Sequence, residues 1–343
     1  MNDQRRVKVT SIEDIVIESA PVPQPGPGEV LVRSTVVGIC GSDLHAAHGR
    51  HPFIERPFWP GHEVVGKVAG VGADVDESLH GQRVVIEPNL ACGECEPCQD
   101  GRYNICDRLD VFGCQTPGGL TDAFVIAQDR VIALPDDLED QWAALVEPMS
   151  TPVHAVRRAG ELAGKRVVVF GAGPIGLFIT LVASLQGAQV VVADLQTSKG
   201  ERAVRLGAAG HFDPTAGDAV QTALEQLGGK AHVVFDAVAR EQTVRMSLRD
   251  LLGKGGRYML VGVPAGATTV DLELVQDREL ELVGNLMFVR EDVLRAIEIL
   301  RSKPFPFDDV VTGVFPFEET PAAFAASDDP EQVKILITLS DGA

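Results

Sequence analysis

Cys92, Cys95, Cys98 and Cys106 stand at the spacing C-x2-C-x2-C-x7-C, with Gly93 and Pro97 shaping the loop. Four thiolates this close in sequence can close around one Zn²⁺ as a tetrahedral structural site with no position open to substrate. Disulfides and an iron–sulfur cluster share part of the pattern, since ferredoxin-type runs open with the same C-x2-C-x2-C. The longer last gap and the Gly-rich setting favour zinc. A second set is sparser. Cys40 lies in GICGSDLH at 38–45, and His62 and Glu63 lie in GHE at 61–63. A thiolate, an imidazole and a carboxylate make an S/N/O set suited to zinc. Taken singly, a cysteine is more often a small buried residue and a histidine a satisfied one. Glu147 sits among Leu145, Val146 and Met149, where a carboxylate needs a partner or a metal. Cys114, in the Gly-rich stretch FGCQTPGGLTDAF, is either simply packed or a wall of the substrate pocket.

The third chemistry is dinucleotide binding. Val167–Phe170 is a short β-branched run, and Gly171, Gly173 and Gly176 then form G-x-G-x-x-G, enclosing Pro174 and Ile175. A helical pattern runs to Leu185 and stops at Gly187. A second run, Val190–Val192, leads to Asp194. One glycine makes the turn, one admits the pyrophosphate to backbone N–H groups, and one lets helix and strand pack closely. Asp194 is placed to accept hydrogen bonds from the adenosine ribose and to repel a 2′-phosphate, which favours NAD over NADP. Gly70-Val71-Gly72 lacks the third glycine and the helix, and reads as a turn. Residues 167–193 carry no charge, as a membrane span would, but four glycines and Pro174 interrupt them. A water-soluble α/β core explains the segment better.

These groups need elements to hold them. At 343 residues the chain has room for about two domains. A net charge of −19 argues against an extended nucleic-acid footprint or an anionic membrane surface. Six cysteines, four of them clustered, suit metal binding in a reducing compartment, and the opening MNDQRRVKVT lacks the apolar stretch of a signal peptide. A cytoplasmic setting is expected. Residues 7–37 alternate strand-like runs with the turn cluster 21–29. A helical stretch over 136–160 should break at Glu147-Pro148. Beyond Asp194, β and α patterns alternate as in a parallel doubly wound sheet, with a helix predicted over 241–256 and strand-like runs over 257–263 and 270–288. The tail carries strand-like VVTGVF, helical EETPAAFAAS and strand-like VKILITL.

GICGSDLH, GHE, the four-cysteine lobe, LVEPMSTPVHAVRRAG and GAGPIG resemble, in that order, the motifs of zinc-containing medium-chain alcohol dehydrogenases, most closely their sorbitol, xylitol and L-idonate dehydrogenase branch. The resemblance covers essentially the whole chain. It implies a GroES-like β domain over 1–150 with the zinc lobe at 88–110. A Rossmann domain over 151–288 and a return to the first domain over 289–343 complete the arrangement. It implies reversible NAD-dependent oxidation of a secondary alcohol, with one structural and one catalytic zinc per chain. Cys40 and His62 would hold the catalytic zinc, with Glu63 or Glu147 as the third protein ligand. Asp43 would orient the zinc-binding histidine. Ser42 would take the substrate proton and His45 would pass it to solvent. Thr151, Lys199, Val238, Val261, Val263 and Lys334 match positions near the cofactor. A homodimer or homotetramer is implied, with the runs at 257–263 and 270–288 as a pairing sheet edge.

One departure bears on the substrate. Polyol dehydrogenases often carry an arginine where this chain has Met287. That leaves a vicinal diol or a threonine-like amino alcohol as alternatives to a polyol or sugar acid. Phe53, Phe58, Trp59, Pro88 and Phe112 are candidate pocket walls. A catalytically inert structural relative would have lost the zinc ligands, and a zinc-free quinone reductase of this fold would lack the four-cysteine lobe and GHE.

Overall fold

The chain, represented by a computed structural model, is described over residues 3–264 and 266–339 and divides into two units. One holds the chain up to Pro148 and from Val289 onward, and the other is Met149–Phe288.

The first unit opens with β1 (Asp3–Ser11) and β2 (Asp14–Pro21), an antiparallel pair. Then come β3 (Glu29–Ile39), α1 (Gly41–Ala47), β4 (Glu63–Val71), β5 (Arg83–Ile86), β6 (Asn89–Leu90), α2 (Glu96–Gln99), β7 (Asp110–Val111), β8 (Ala123–Ala127), β9 (Val131–Ala133) and α3 (Asp140–Ala143). α4 (Val146–Ala159) crosses into the second unit.

That unit alternates β10 (Arg166–Phe170), α5 (Pro174–Leu185), β11 (Gln189–Ala193), α6 (Thr197–Arg205), β12 (Gly210–Phe212), α7 (Ala219–Leu227), β13 (Ala231–Asp236), α8 (Glu241–Met246), β14 (Leu252–Leu260), α9 (Leu272–Asp277) and β15 (Glu281–Gly284). Back in the first unit lie α10 (Arg290–Arg301), β16 (Val311–Pro316), α11 (Thr320–Ser327) and β17 (Lys334–Thr338).

β3 organises the first unit. Its first half alternates buried and part-exposed residues, and its last residues are buried without a break. There it is flanked on both sides, in a sheet of order β16-β17-β3-β4-β5-β9 with β8 paired to its other end. Val32, Val37, Val64, Phe124 and Ile335 build the core on this sheet. In the second unit every strand is parallel, in the order β12-β11-β10-β13-β14-β15. Val167–Val169 and Val190–Val192 are fully buried, as strands covered on both faces must be. The order reverses between β10 and β13, where such sheets take a ligand at their carboxyl ends.

Three local expectations need correction. The helix predicted over 136–160 breaks earlier, between Ala143 and Val146, and Glu147-Pro148 fall in the first turn of α4. Proline costs little there, because first-turn N–H groups have no intrahelical acceptor. The helix predicted over 241–256 ends sooner: a wide turn at Ser247–Leu251 passes directly into β14. The run 270–288 is not one strand, since α9 occupies Leu272–Asp277, with Val275 and Leu280 packing on the second core. Among the described residues no helix is long and apolar enough to cross a membrane.

Candidate active site

The ends of β3 and β4 meet at the site. Cys40 follows β3 as the N-cap of α1, and its N–H donates to Asp43 Oδ2 at 3.0 Å. Ser42 and His45 ride on that short helix. His62 precedes β4 and Glu63 opens it, directly across the ladder from Gly38. One donor atom each from Cys40, His62 and Glu63 lies within 4.8 Å of the others. A Cβ on residue 38 would sit 2.0 Å from Glu63 Oε2, so the glycine makes room for the carboxylate.

The charges are matched from behind. Lys334, the first residue of β17 and 2% exposed, donates to Glu63 Oε1 and Oε2 at 2.7 and 2.8 Å and to Ile39 O at 3.0 Å. Burial works against its ammonium, but Glu63 and Cys40 outweigh that and hold its pKa above the ordinary value. This corrects the cofactor contact expected of Lys334: its three N–H donors are spent on Glu63 and Ile39.

His62 is also buried. Its Nε2 is 3.5 Å from Ser42 Oγ, and its Nδ1 is 3.7 Å from Asp43 Oδ1 and 3.9 Å from Cys114 Sγ. Burial opposes its charge, yet Asp43, Cys114 and Cys40 raise it well above 6.5. Zinc takes an imidazole in its neutral form and a cysteine as its thiolate, so a dication entering here would displace protons from the set. Asp43 Oδ1 accepts no hydrogen bond and faces the imidazole Nδ1 at 3.7 Å. Glu147 falls outside the three converging donors. Burial, countered by His62 and reinforced by Glu63, pushes its carboxyl up to about 7. His45 is exposed on α1, its pKa lowered by partial burial, then by Arg50 and His48.

The four-cysteine lobe is of another kind. Its sulfurs are 3.4 Å (Cys95–Cys98), 3.8 Å (Cys95–Cys106) and 4.0 Å (Cys92–Cys98) apart, and all are free thiols. A tetrahedron with metal–sulfur bonds of about 2.3 Å has edges of about 3.8 Å, so the set fits zinc as it stands. The N–H groups of Glu94 and Cys95 lower the Cys92 thiol to about 6, whereas desolvation and then Cys95 push Cys98 up to about 12. Thiols this crowded ionise together only around a cation.

In the second unit Gly176 packs against the strand-to-helix turn; a Cβ there would lie 1.7 Å from Gly171 O. Gly173 caps α5, with Pro174 and Ile175 opening it, and the space beside Gly173 is open. Asp194 accepts from Ala172 N–H at 2.7 Å and Gln196 N–H at 3.0 Å, tying the glycine turn to the end of β11. Val238 leans over Gly171, Val263 is exposed, and Lys199 lies on α6, part-buried. Val261 N–H donates to Asp236 O. Thr151 lies inside α4, past its first turn, not at a helix start as expected.

Sequence reasoning missed Asp236. Its buried carboxylate accepts from Val238 N–H, Ala239 N–H, Thr243 Oγ1 and Tyr258 OH and fixes the turn that carries Val238. A lone acid closing an apolar strand was the available signal. The aromatic walls also need correction. Phe58 and Phe112 are core residues and Pro88 is buried; Trp59, half-buried, donates from Nε1 to Glu18 at 2.9 Å, and Phe53 is exposed.

Comparison with known proteins agrees with this geometry. Residues 26–136 match the alcohol dehydrogenase GroES-like domain and residues 174–302 the zinc-binding dehydrogenase domain. The chain is 32% identical over 306 residues to L-galactonate-5-dehydrogenase of Escherichia coli K12, covering 89% of each. It is 33% identical over 338 residues to D-xylulose reductase A of Aspergillus oryzae, covering 95% of this chain and 94% of that one. The structure of L-idonate 5-dehydrogenase from E. coli K-12 superposes with a TM-score of 0.88 at 26% identity over 98% of both chains. Other solved relatives are bound to NADP and to NADH. The chain belongs to the zinc-dependent medium-chain alcohol dehydrogenases, in their polyol branch, and is an alcohol dehydrogenase with a zinc-type donor set in each of two places.

Proposed function

We propose that the protein moves a hydride between NAD and a secondary alcohol of a polyol or sugar acid, with Cys40, His62 and Glu63 holding the reactive zinc. The convergence of those three donors beside Ser42 carries the reading. A bound zinc supplies Lewis acidity to the alcohol oxygen. Asp43 keeps His62 in one orientation, so the donor facing Ser42 is fixed. Lys334 holds Glu63 through both oxygens, and a carboxylate with about four lone-pair sites retains capacity for a cation. Ser42 Oγ, 3.5 Å from His62 Nε2, can take a proton, and exposed His45 on the same helix can hand it to solvent. Glu147, near 7, titrates where a neighbouring acid or base works best.

Asp194 presents a carboxylate at the end of β11, which favours the ribose hydroxyls of NAD over the phosphate of NADP. The exposed Val263, Leu272 and Leu282 near the β15 edge suit a homodimer, or a tetramer built from it, in the cytoplasm. The test is metal analysis with a substrate screen. Two zinc per chain, NADH formation with secondary alcohols and poor use of NADP are expected. One zinc per chain without alcohol turnover refutes the reading. The screen includes butanediol and threonine, whose preference would move the substrate to the diol or amino-alcohol class.

A further inference from the structure

The loop between α1 and β4 carries charge that the zinc site does not use. Residues 48–56 hold His48, Arg50, His51 and Arg56 against one acid, Glu55, in a chain whose net charge is −19. His48 is paired with Asp328 at 2.8 Å, whereas Arg50, Glu55 and Arg56 enter no ion pair among the described residues. The loop walls an open cavity of about 570 Å³ lined by Thr10, Gly49, His51, Ile54, Glu55 and Arg56.

Two groups on that wall are set as donors. Phe53 N–H donates to His51 Nδ1 at 3.2 Å, so a neutral His51 carries its proton on Nε2. Arg56 spends one N–H on Ala47 O at 3.3 Å and keeps the rest of its fork. The loop is tied to the zinc cluster as well. Gln115 Nε2 donates to Phe53 O at 2.8 Å, and its neighbour Cys114 lies 3.9 Å from His62. His51 is close enough to His45 and His62 to feel their charge, which, after partial burial, lowers its own pKa. A guanidinium outside any ion pair and an imidazole N–H on the wall of one open cavity offer directed donors to an anion.

We propose that this cavity receives the carboxylate of the substrate, with His51 Nε2–H and the Arg56 guanidinium as its donors, so that the alcohol oxidised belongs to a hydroxy acid. The inference rests on the alcohol-oxidising reading above and narrows it. Glu55 on the same wall balances the charge of Arg56, so the cavity suits a monoanion held by directed N–H donors better than a doubly charged phosphate ester. It also answers the loss of an arginine at Met287: the recognition charge lies on the loop before β4.

The test compares kcat/KM for L-galactonate and for galactitol in the metal-replete enzyme, the variant R56Q and the variant H51Q. The unaltered enzyme should favour the acid at least tenfold, and each variant should cut that ratio about tenfold. A ratio that neither variant moves, or an unaltered enzyme that uses both equally, overturns the acid pocket while alcohol oxidation stands. Preference for galactitol 1-phosphate over both overturns the carboxylate. Failure of every alcohol to reduce NAD removes both readings together.

Discussion

The two zinc-type clusters are built by opposite strategies. The four-cysteine lobe takes all its donors from one loop, residues 92–106, with four like ligands. The other cluster draws Cys40, His62 and Glu63 from the ends of two strands, and a third strand supplies Lys334. Uniform thiolates satisfy a cation completely and close its shell. Mixed donors held by charged neighbours leave the metal electrophilic and tie its environment to the sheet. The lobe should therefore answer to its metal and the active cluster to its fold.

The largest test of that contrast is Cys40→Ser. Metal analysis should find one zinc per chain in place of two, and kcat/KM should fall by about a thousandfold or more, since the Lewis acid is gone. Cys95→Ser should instead spare the active-site zinc while lowering thermal stability by several kcal/mol, read as a lower Tm. If Cys95→Ser abolished turnover at temperatures where the protein stays folded, the separation between the clusters would fail.

Lys334→Met should come next. It leaves Glu63 buried without its counter-charge, a loss of about 3–5 kcal/mol. Denaturant unfolding should show it, and the double variant with Glu63→Gln should recover part of it. Gly38→Ala probes the same carboxylate sterically and should cost on the order of 1–3 kcal/mol, because the new Cβ overlaps Glu63.

Asp194→Ala should raise the KM for NAD about tenfold, equivalent to about 1.4 kcal/mol, and narrow the preference over NADP. The smallest effect is in proton counts. Cys92, near 6, is mostly ionised at pH 7, so zinc uptake by the metal-free lobe should release fewer protons than it has ligands. Burial opposes the charge of His62, but Asp43 and the neighbouring thiols raise its pKa, so filling the active cluster should add a proton release from that imidazole. Calorimetry in buffers of different ionisation enthalpy separates the two.

Motifs held within one loop or one βαβ unit were legible. Cys92–Cys106 and Gly171–Asp194 carry their chemistry in local spacing, because the chain between the groups is too short to place them elsewhere. The partner of Glu63 was not legible. Lys334 lies far along the chain in an apolar strand, and only the antiparallel pairing of Ile335 with Ile39 brings it under the cluster. The same holds for Asp236, whose four donors come from its own turn, from α8 and from β14, and for Phe58 and Trp59, which a pocket reading could not orient. α9 was missed because residues 270–274 alternate apolar and charged side chains as a half-buried strand does, whereas packing of Val275 and Leu280 on the core decided for a helix.

By itself, the sequence determined the ligand types, the thiolate lobe, the dinucleotide turn and the order of the two units, since each depends on residues close along the chain. Tertiary structure alone decided which charges face one another: Lys334 on Glu63, Asp43 behind His62, and unpaired Arg56 beside His51. Electrostatic energy depends on distance and burial, and strands that meet in a sheet set both without regard to their separation in sequence.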